Sequence, residues 1–139
     1  MLRKVLAVIA GLVATGLVVG LVQMLGRYLY PMAPGSDPND IEAVKEYVEN
    51  APFMALFFVI ISYAGGALTG GFTATKIAND SSRAPAFIIG AIFALISVYM
   101  MLTIPSPFWF WILGIAAWGL VMVGRTLARR TSTLTVKQN

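Results

Sequence analysis

The side chains best placed for chemistry are hydroxyls and one amide set among apolar residues. Gln23, Ser62, Thr69, Thr73 and Ser97 are read as a possible polar track. A serine or threonine hydroxyl becomes a nucleophile only beside a base that takes its proton. The chain has no histidine and no cysteine, and its Asp, Glu, Lys and Arg residues lie outside the apolar runs or at their ends, Arg125 closing the last one. Imidazole acid-base chemistry, thiolate metal sites, disulfides and haem ligation by histidine are therefore absent together. Proton-coupled transport loses its usual intramembrane carboxylate or lysine for the same reason. The expectation is a protein that is not an enzyme, has no catalytic residue and uses no metal or cofactor.

The carboxylates gather in one polar stretch, where Asp37, Asp40, Glu42, Glu46 and Glu49 face Lys45 alone, with Arg27 just ahead of it. A divalent cation site is a weak reading, because DPNDIEAVKEYVE lacks the ligand spacing of an EF-hand loop. Two uses remain open: a lid resting on the rest of the protein, or a docking surface for a partner. For Gln23 and Arg27 two readings also stand. Both mark a membrane interface together with Tyr28 and Tyr30, or Gln23 donates across to another helix and Arg27 pairs with a loop carboxylate.

Composition sets the elements that must hold these groups. Of 139 residues, 58% are hydrophobic and 12% charged, with a mean hydropathy of +0.80. That lies outside the range of a soluble domain. The expected architecture is a single all-α transmembrane domain, a four-helix bundle with spans at about 5–26, 53–75, 85–104 and 108–128. An outer loop at 27–52 carries a short amphipathic helix, and the tail at 129–139 is expected to fray. The net charge of +4 does not indicate nucleic acid, since the basic residues flank spans instead of forming a patch among exposed aromatics.

Each segment carries local signals. Val5 to Leu25 is longer than a signal-peptide core, so it is read as an uncleaved first span. The loop helix is predicted to start with Asp37 as N-cap and Pro38 at the first helical position, its apolar stripe being Ile41, Val44, Val48 and Ala51. The second span contains SYAGGALTGGFTA. Its paired glycines lack the preceding strand and the GK[ST] ending of a phosphate loop, and small residues four apart instead let helices approach closely. A kink or unwinding at either glycine pair stays open. KIANDSSRAP is a tight turn, with Asn79 ending one helix and Pro85 opening the next. Ser106 before Pro107 is the expected N-cap of the last span, whose Phe108, Trp109, Phe110 and Trp111 form an interfacial belt.

Seven small residues are assigned to helix packing: Gly16 and Gly20 as a GxxxG in the first span, Gly66 and Gly70 in the second, and Ala86, Gly90 and Ala94 in the third. The third-span stripe, with Ser97, is expected to complement the small face of the second span. Charge sets the expected orientation. Arg3, Lys4, Lys76, Arg83, Arg125, Arg129, Arg130 and Lys137 fall on the side of the termini, against Arg27 and Lys45 on the other, and five of the six carboxylates share the latter side. The positive-inside rule then puts both termini in the cytoplasm.

The loop YPMAPGSDPNDIEAVKEYV, the span AGGALTGGFTATKIA and the hairpin IPSPFWFWILG together resemble a group of small four-span bacterial membrane proteins of unassigned function. The resemblance covers nearly the whole chain. It implies the four-helix architecture and a bacterial inner (plasma) membrane, and supplies no catalytic residue or ligand. The chain does not match the small multidrug resistance transporters, which keep a glutamate in their first span. The functional expectation is a small interaction or accessory protein whose partners are the lipid bilayer and either copies of itself, as a homo-oligomer, or a larger membrane complex. The alternative is a passive channel or carrier for an ion or small solute along the polar track.

Overall fold

The computed structural model describes residues 1–79 and 82–137. They form five helices: α1 (Leu2–Leu29), α2 (Ile41–Asn50), α3 (Phe53–Ala78), α4 (Ala84–Thr103) and α5 (Phe108–Lys137). Four of these are long and apolar enough to cross a membrane. The shortest, α4, has 20 residues, or about 30 Å of helix, which matches the hydrocarbon thickness of a bilayer. This is a multi-pass membrane protein built as a four-helix bundle.

The distribution of side chains carries the same conclusion. Many of the most deeply buried positions are small, with Ala7, Ala67, Ala74, Thr15 and Ser62 all at 0% exposure, while Leu17, Leu95 and Leu102 are 62%, 71% and 73% exposed. In water that arrangement would waste the large apolar groups. In lipid the outward face needs no burial, and close contact between backbones is what holds helices together.

Helix α3 is the axis of the bundle, with α1 on one side and α5 on another. The sequence expectation made α4 the main complement of α3, and this is corrected. Helix α4 does reach α3, with Ile89 beside Gly70, but the tightest approaches on the small face of α3 come from α1 and α5. Stripes of small residues specify that a helix will be approached, and leave open by which neighbour. The doublet Gly70-Gly71 shows how two neighbours are served. Adjacent residues point about 100° apart on a helix, so Gly70 receives Thr15 and Gly11 of α1 while Gly71 receives the Val121 backbone of α5. Helix α3 is also continuous from Phe53 to Ala78, so neither glycine pair breaks it.

The helix ends differ from expectation by a few residues, for physical reasons. Asp40, not Asp37, caps α2, its side chain accepting from Glu42 N at 3.1 Å. Asp37 instead closes the preceding turn, accepting from Asn39 N at 2.8 Å. Ser106 does not cap α5; its hydroxyl donates back to the Ile104 carbonyl at 3.1 Å, and the Pro107 carbonyl accepts from Phe110 N at 3.0 Å to start the helix. Asn79 ends α3 in the left-handed conformation with φ 47°, and Pro85 sits in the first turn of α4, both as expected. Asp80 and Ser81 of the turn between them lie outside the described residues.

The frayed tail is the clearest departure, because α5 runs unbroken to Lys137. Lys76 Nζ donates to Ser132 Oγ at 3.1 Å, tying this extension to the end of α3. Adding turns to an existing helix requires no new nucleus, so one such tether suffices. Gln138 and Asn139 lie outside the described residues.

Candidate functional site

The buried polar groups are distributed between helix seams. Thr15 Oγ1 lies 2.8 Å from the Gly11 carbonyl on its own helix and 3.1 Å from the Gly66 carbonyl of α3. Gly66 admits this contact because an added Cβ would meet Val19 and Thr15. Gln23 Nε2 donates to Ser62 Oγ at 3.3 Å, so the cross-helix reading of Gln23 holds, and Ser62 Oγ donates onward to the Val59 carbonyl at 2.6 Å. Thr69 bonds within its own helix, to the Gly65 carbonyl at 2.8 Å. Ser97 accepts from Trp118 Nε1 of α5 at 2.7 Å, and the Tyr63 ring lies 5.2 Å from the Trp118 ring.

The five residues read as a polar track are therefore brought together only in part. Gln23 and Ser62 meet, Ser97 belongs to a separate aromatic cluster where Trp118 stacks on Phe93, and Thr69 and Thr73 are half-buried without joining either group. Hydroxyls in helices commonly satisfy themselves on the carbonyl one turn back.

The packing residues divide as well. Gly66 and Gly70 are buried against α1, Ala86 is buried with Ala67, Trp118 and Val121, and Ala94 packs on that cluster. A Cβ added at Gly90 would lie 3.6 Å from the Val121 side chain, an ordinary van der Waals contact. Gly16 and Gly20 do not seat a helix of this chain; both are exposed, with no atom within 4 Å of an added Cβ. The inward register of α1 is Ala7, Gly11 and Thr15 instead. A GxxxG motif carries no information about which side of its helix faces the bundle.

Gly124 escaped sequence reasoning, and with Gly71, read there only as part of a glycine pair, it makes the closest backbone-to-backbone crossing. An added Cβ on Gly71 would run into the Val121 carbonyl, and one on Gly124 into the Leu68 carbonyl. The doubling of glycine at 70 and 71 was the available signal for a second neighbour.

At the end of the bundle opposite the termini, α1, α3 and α4 surround a cavity of about 250 Å³ roofed by α2. Its walls include Gln23 and Arg27 of α1, Val59 and Tyr63 of α3, Met100 and Met101 of α4, and Val44, Tyr47 and Val48 of α2. No family model, curated protein or solved structure matches this chain. The site is therefore read from its own geometry.

The roof is held by the chain itself. Tyr47 donates its hydroxyl hydrogen to the Tyr30 carbonyl at 2.7 Å, closing α2 against the end of α1. Burial pushes the Tyr47 hydroxyl above its ordinary titration range, the Arg27 charge opposes this, and Tyr30 adds to the rise. Val48 and Ala51 pack on the core around Leu56 and Phe110. Ile41, expected on the same stripe, is 53% exposed because the later cap places it at the first helical position.

The charged candidates all lie at the surface: Arg27, Asp37, Asp40, Glu42, Glu46 and Glu49 are each exposed. Asp37 and Asp40 are occupied by backbone N–H groups, and Glu42 pairs with Lys45 at 3.1 Å. Among the described residues no ion pair joins Arg27 to a loop carboxylate. Arg27 instead stands at the edge of the cavity.

Proposed function

We propose that this protein is a non-enzymatic membrane interaction protein that packs with a second copy or with a larger membrane complex. The observation that carries this reading is the outward face of α1. Gly16 and Gly20 are one turn apart on a lipid-facing surface with open space above them, flanked by exposed Val13 and Leu17. Small residues at that spacing permit a second helix to approach as closely as α1 and α3 do inside the bundle. The inward polar groups support the same choice over a conduit, since their hydroxyls are engaged within helices or across closed seams. The exposed acidic side of α2 adds a polar docking surface at one end.

The membrane is a bacterial inner membrane, with the basic end of the bundle and both termini in the cytoplasm and α2 outside. The excess of Lys and Arg at that end supports this orientation.

The test uses the absence of cysteine. A single Leu17→Cys change on the outward face of α1 gives a disulfide-linked dimer, or a crosslink to a partner, in native membranes. Gly16→Leu and Gly20→Leu in that background abolish it. A protein that migrates alone in native mass spectrometry from lipid particles, with no crosslink at Leu17→Cys, overturns the proposal.

A further inference from the structure

The cavity under α2 has a chemistry that the packing function does not use. Its volume of about 250 Å³ exceeds the roughly 150 Å³ of an apolar cavity that takes benzene, and at about 30 Å³ per water-sized group it has room for some eight methylenes. It falls short of the roughly 300 to 1,000 Å³ of pockets for drug-sized ligands, which favours a single chain over a folded molecule. Met32, Met100 and Met101 line it. Unbranched thioether side chains adapt to a flexible guest.

The polar part is one-sided. Arg27 is the one charged residue lining the cavity among those described, and no described carboxylate lines it. The acidic groups Glu42, Glu46 and Glu49 are exposed on α2, whereas Val44, Tyr47 and Val48 of the same helix line the cavity. The field of Arg27 reaches the cavity wall, where it acts on the Tyr47 hydroxyl. A planar guanidinium takes a carboxylate through two parallel hydrogen bonds. The cavity also belongs to the end of the bundle that carries Tyr28, Tyr30 and Trp109, residue types that settle at the membrane–water boundary. An amphiphile partitioned into a bilayer has its own head group at that level.

We propose that this cavity binds a single-chain anionic amphiphile of the fatty-acid type, with its hydrocarbon tail between α1, α3 and α4 and its carboxylate on Arg27. Tail and head thus meet surfaces of matching character, under a roof latched by Tyr47.

The experiment uses the full chain in lipid nanodiscs with a decanoic acid analogue carrying a photoreactive diazirine near its tail end. Labelling is expected on Met100, Met101 and Val59, and decanoate should compete for it. Decanol and decyltrimethylammonium should compete about tenfold less well, and Arg27→Gln should weaken decanoate binding by a similar factor, the usual scale of a lost charge-assisted hydrogen bond. Val44→Phe, on the roof and away from the spans, should reduce labelling by filling the cavity. Labelling confined to lipid-facing Leu95 and Leu102, or competition by the cationic amphiphile equal to that by decanoate, overturns the proposal. Equal competition by a diacyl phospholipid overturns the single-chain assignment. None of these readouts depends on self-association, so the Leu17→Cys crosslink and this site can fail separately.

Discussion

Gly124 and Gly119 lie on the same helix and make a controlled comparison of close approach. An alanine at either position gains about 1 kcal/mol of helix propensity. At Gly119 nothing lies within 4 Å of the added methyl, so Gly119→Ala should leave stability unchanged or raise it slightly. At Gly124 the methyl would strike the Leu68 carbonyl, with the Leu68 carbonyl carbon at 3.0 Å and Cα at 3.1 Å. These are backbone atoms, which have no rotamer to escape into. Helices α3 and α5 must separate, and the reciprocal contact of Gly71 with Val121 opens with them. Overpacking of this kind costs about 1 to 3 kcal/mol, so Gly124→Ala should fall below Gly119→Ala by about that amount. Reversible unfolding in mixed micelles, followed by far-ultraviolet circular dichroism against the mole fraction of denaturing detergent, measures the difference. If Gly124→Ala is as stable as Gly119→Ala, the backbone crossing of α3 and α5 is wrong.

Other perturbations follow from single contacts. Thr15→Val removes the bond to Gly66 at nearly constant volume and should cost about 0.6 kcal/mol, the average for hydrogen bonds between membrane helices, in the same unfolding assay. Ser97→Ala leaves Trp118 Nε1 without its acceptor in a buried cluster; a loss of about 1 to 3 kcal/mol and a changed tryptophan emission maximum are expected. The latch titrates. Because the Tyr47 hydroxyl has a folded value raised above 10, its contribution is fully present below the unfolded value and is lost as pH rises through the folded one. Proteolysis of the loop around α2 should accelerate above pH 10 in the wild type, and Tyr47→Phe should show the faster rate already at neutral pH. A wild-type rate flat across that range would show that the Tyr47–Tyr30 bond does not hold the roof.

The spans were legible because uninterrupted apolar runs of membrane length have few other uses, and their ends followed from Asn79, Pro85 and the basic flanks. Seam identity was not. Gly16-Gly20 and Gly66-Gly70 have the same spacing, yet the first pair faces outward and the second inward, because spacing fixes a face without fixing its direction. The cavity was hidden for a different reason. It arises where α1 and α4, in contact at Gly11 and Ile89, stand on opposite sides of a space near Gln23 and Met101, and that depends on helix inclination. Gln23 and Arg27 near a span end, and the apolar stripe of the loop helix, were the sequence clues to it.

The glycine doublet at 70 and 71 also bears on the order in which the chain is assembled. Everything that docks on Gly70 from α1 has been synthesised by the time α3 enters the bilayer, so that seam can close between the first two spans alone. Gly71 has no such partner until Val121 and Gly124 follow, some fifty residues later in the chain. Until then the face of α3 at Gly71 lacks the helix that packs on it. A chain that ends before α5 therefore has its α1–α3 seam complete and its second seam unfilled.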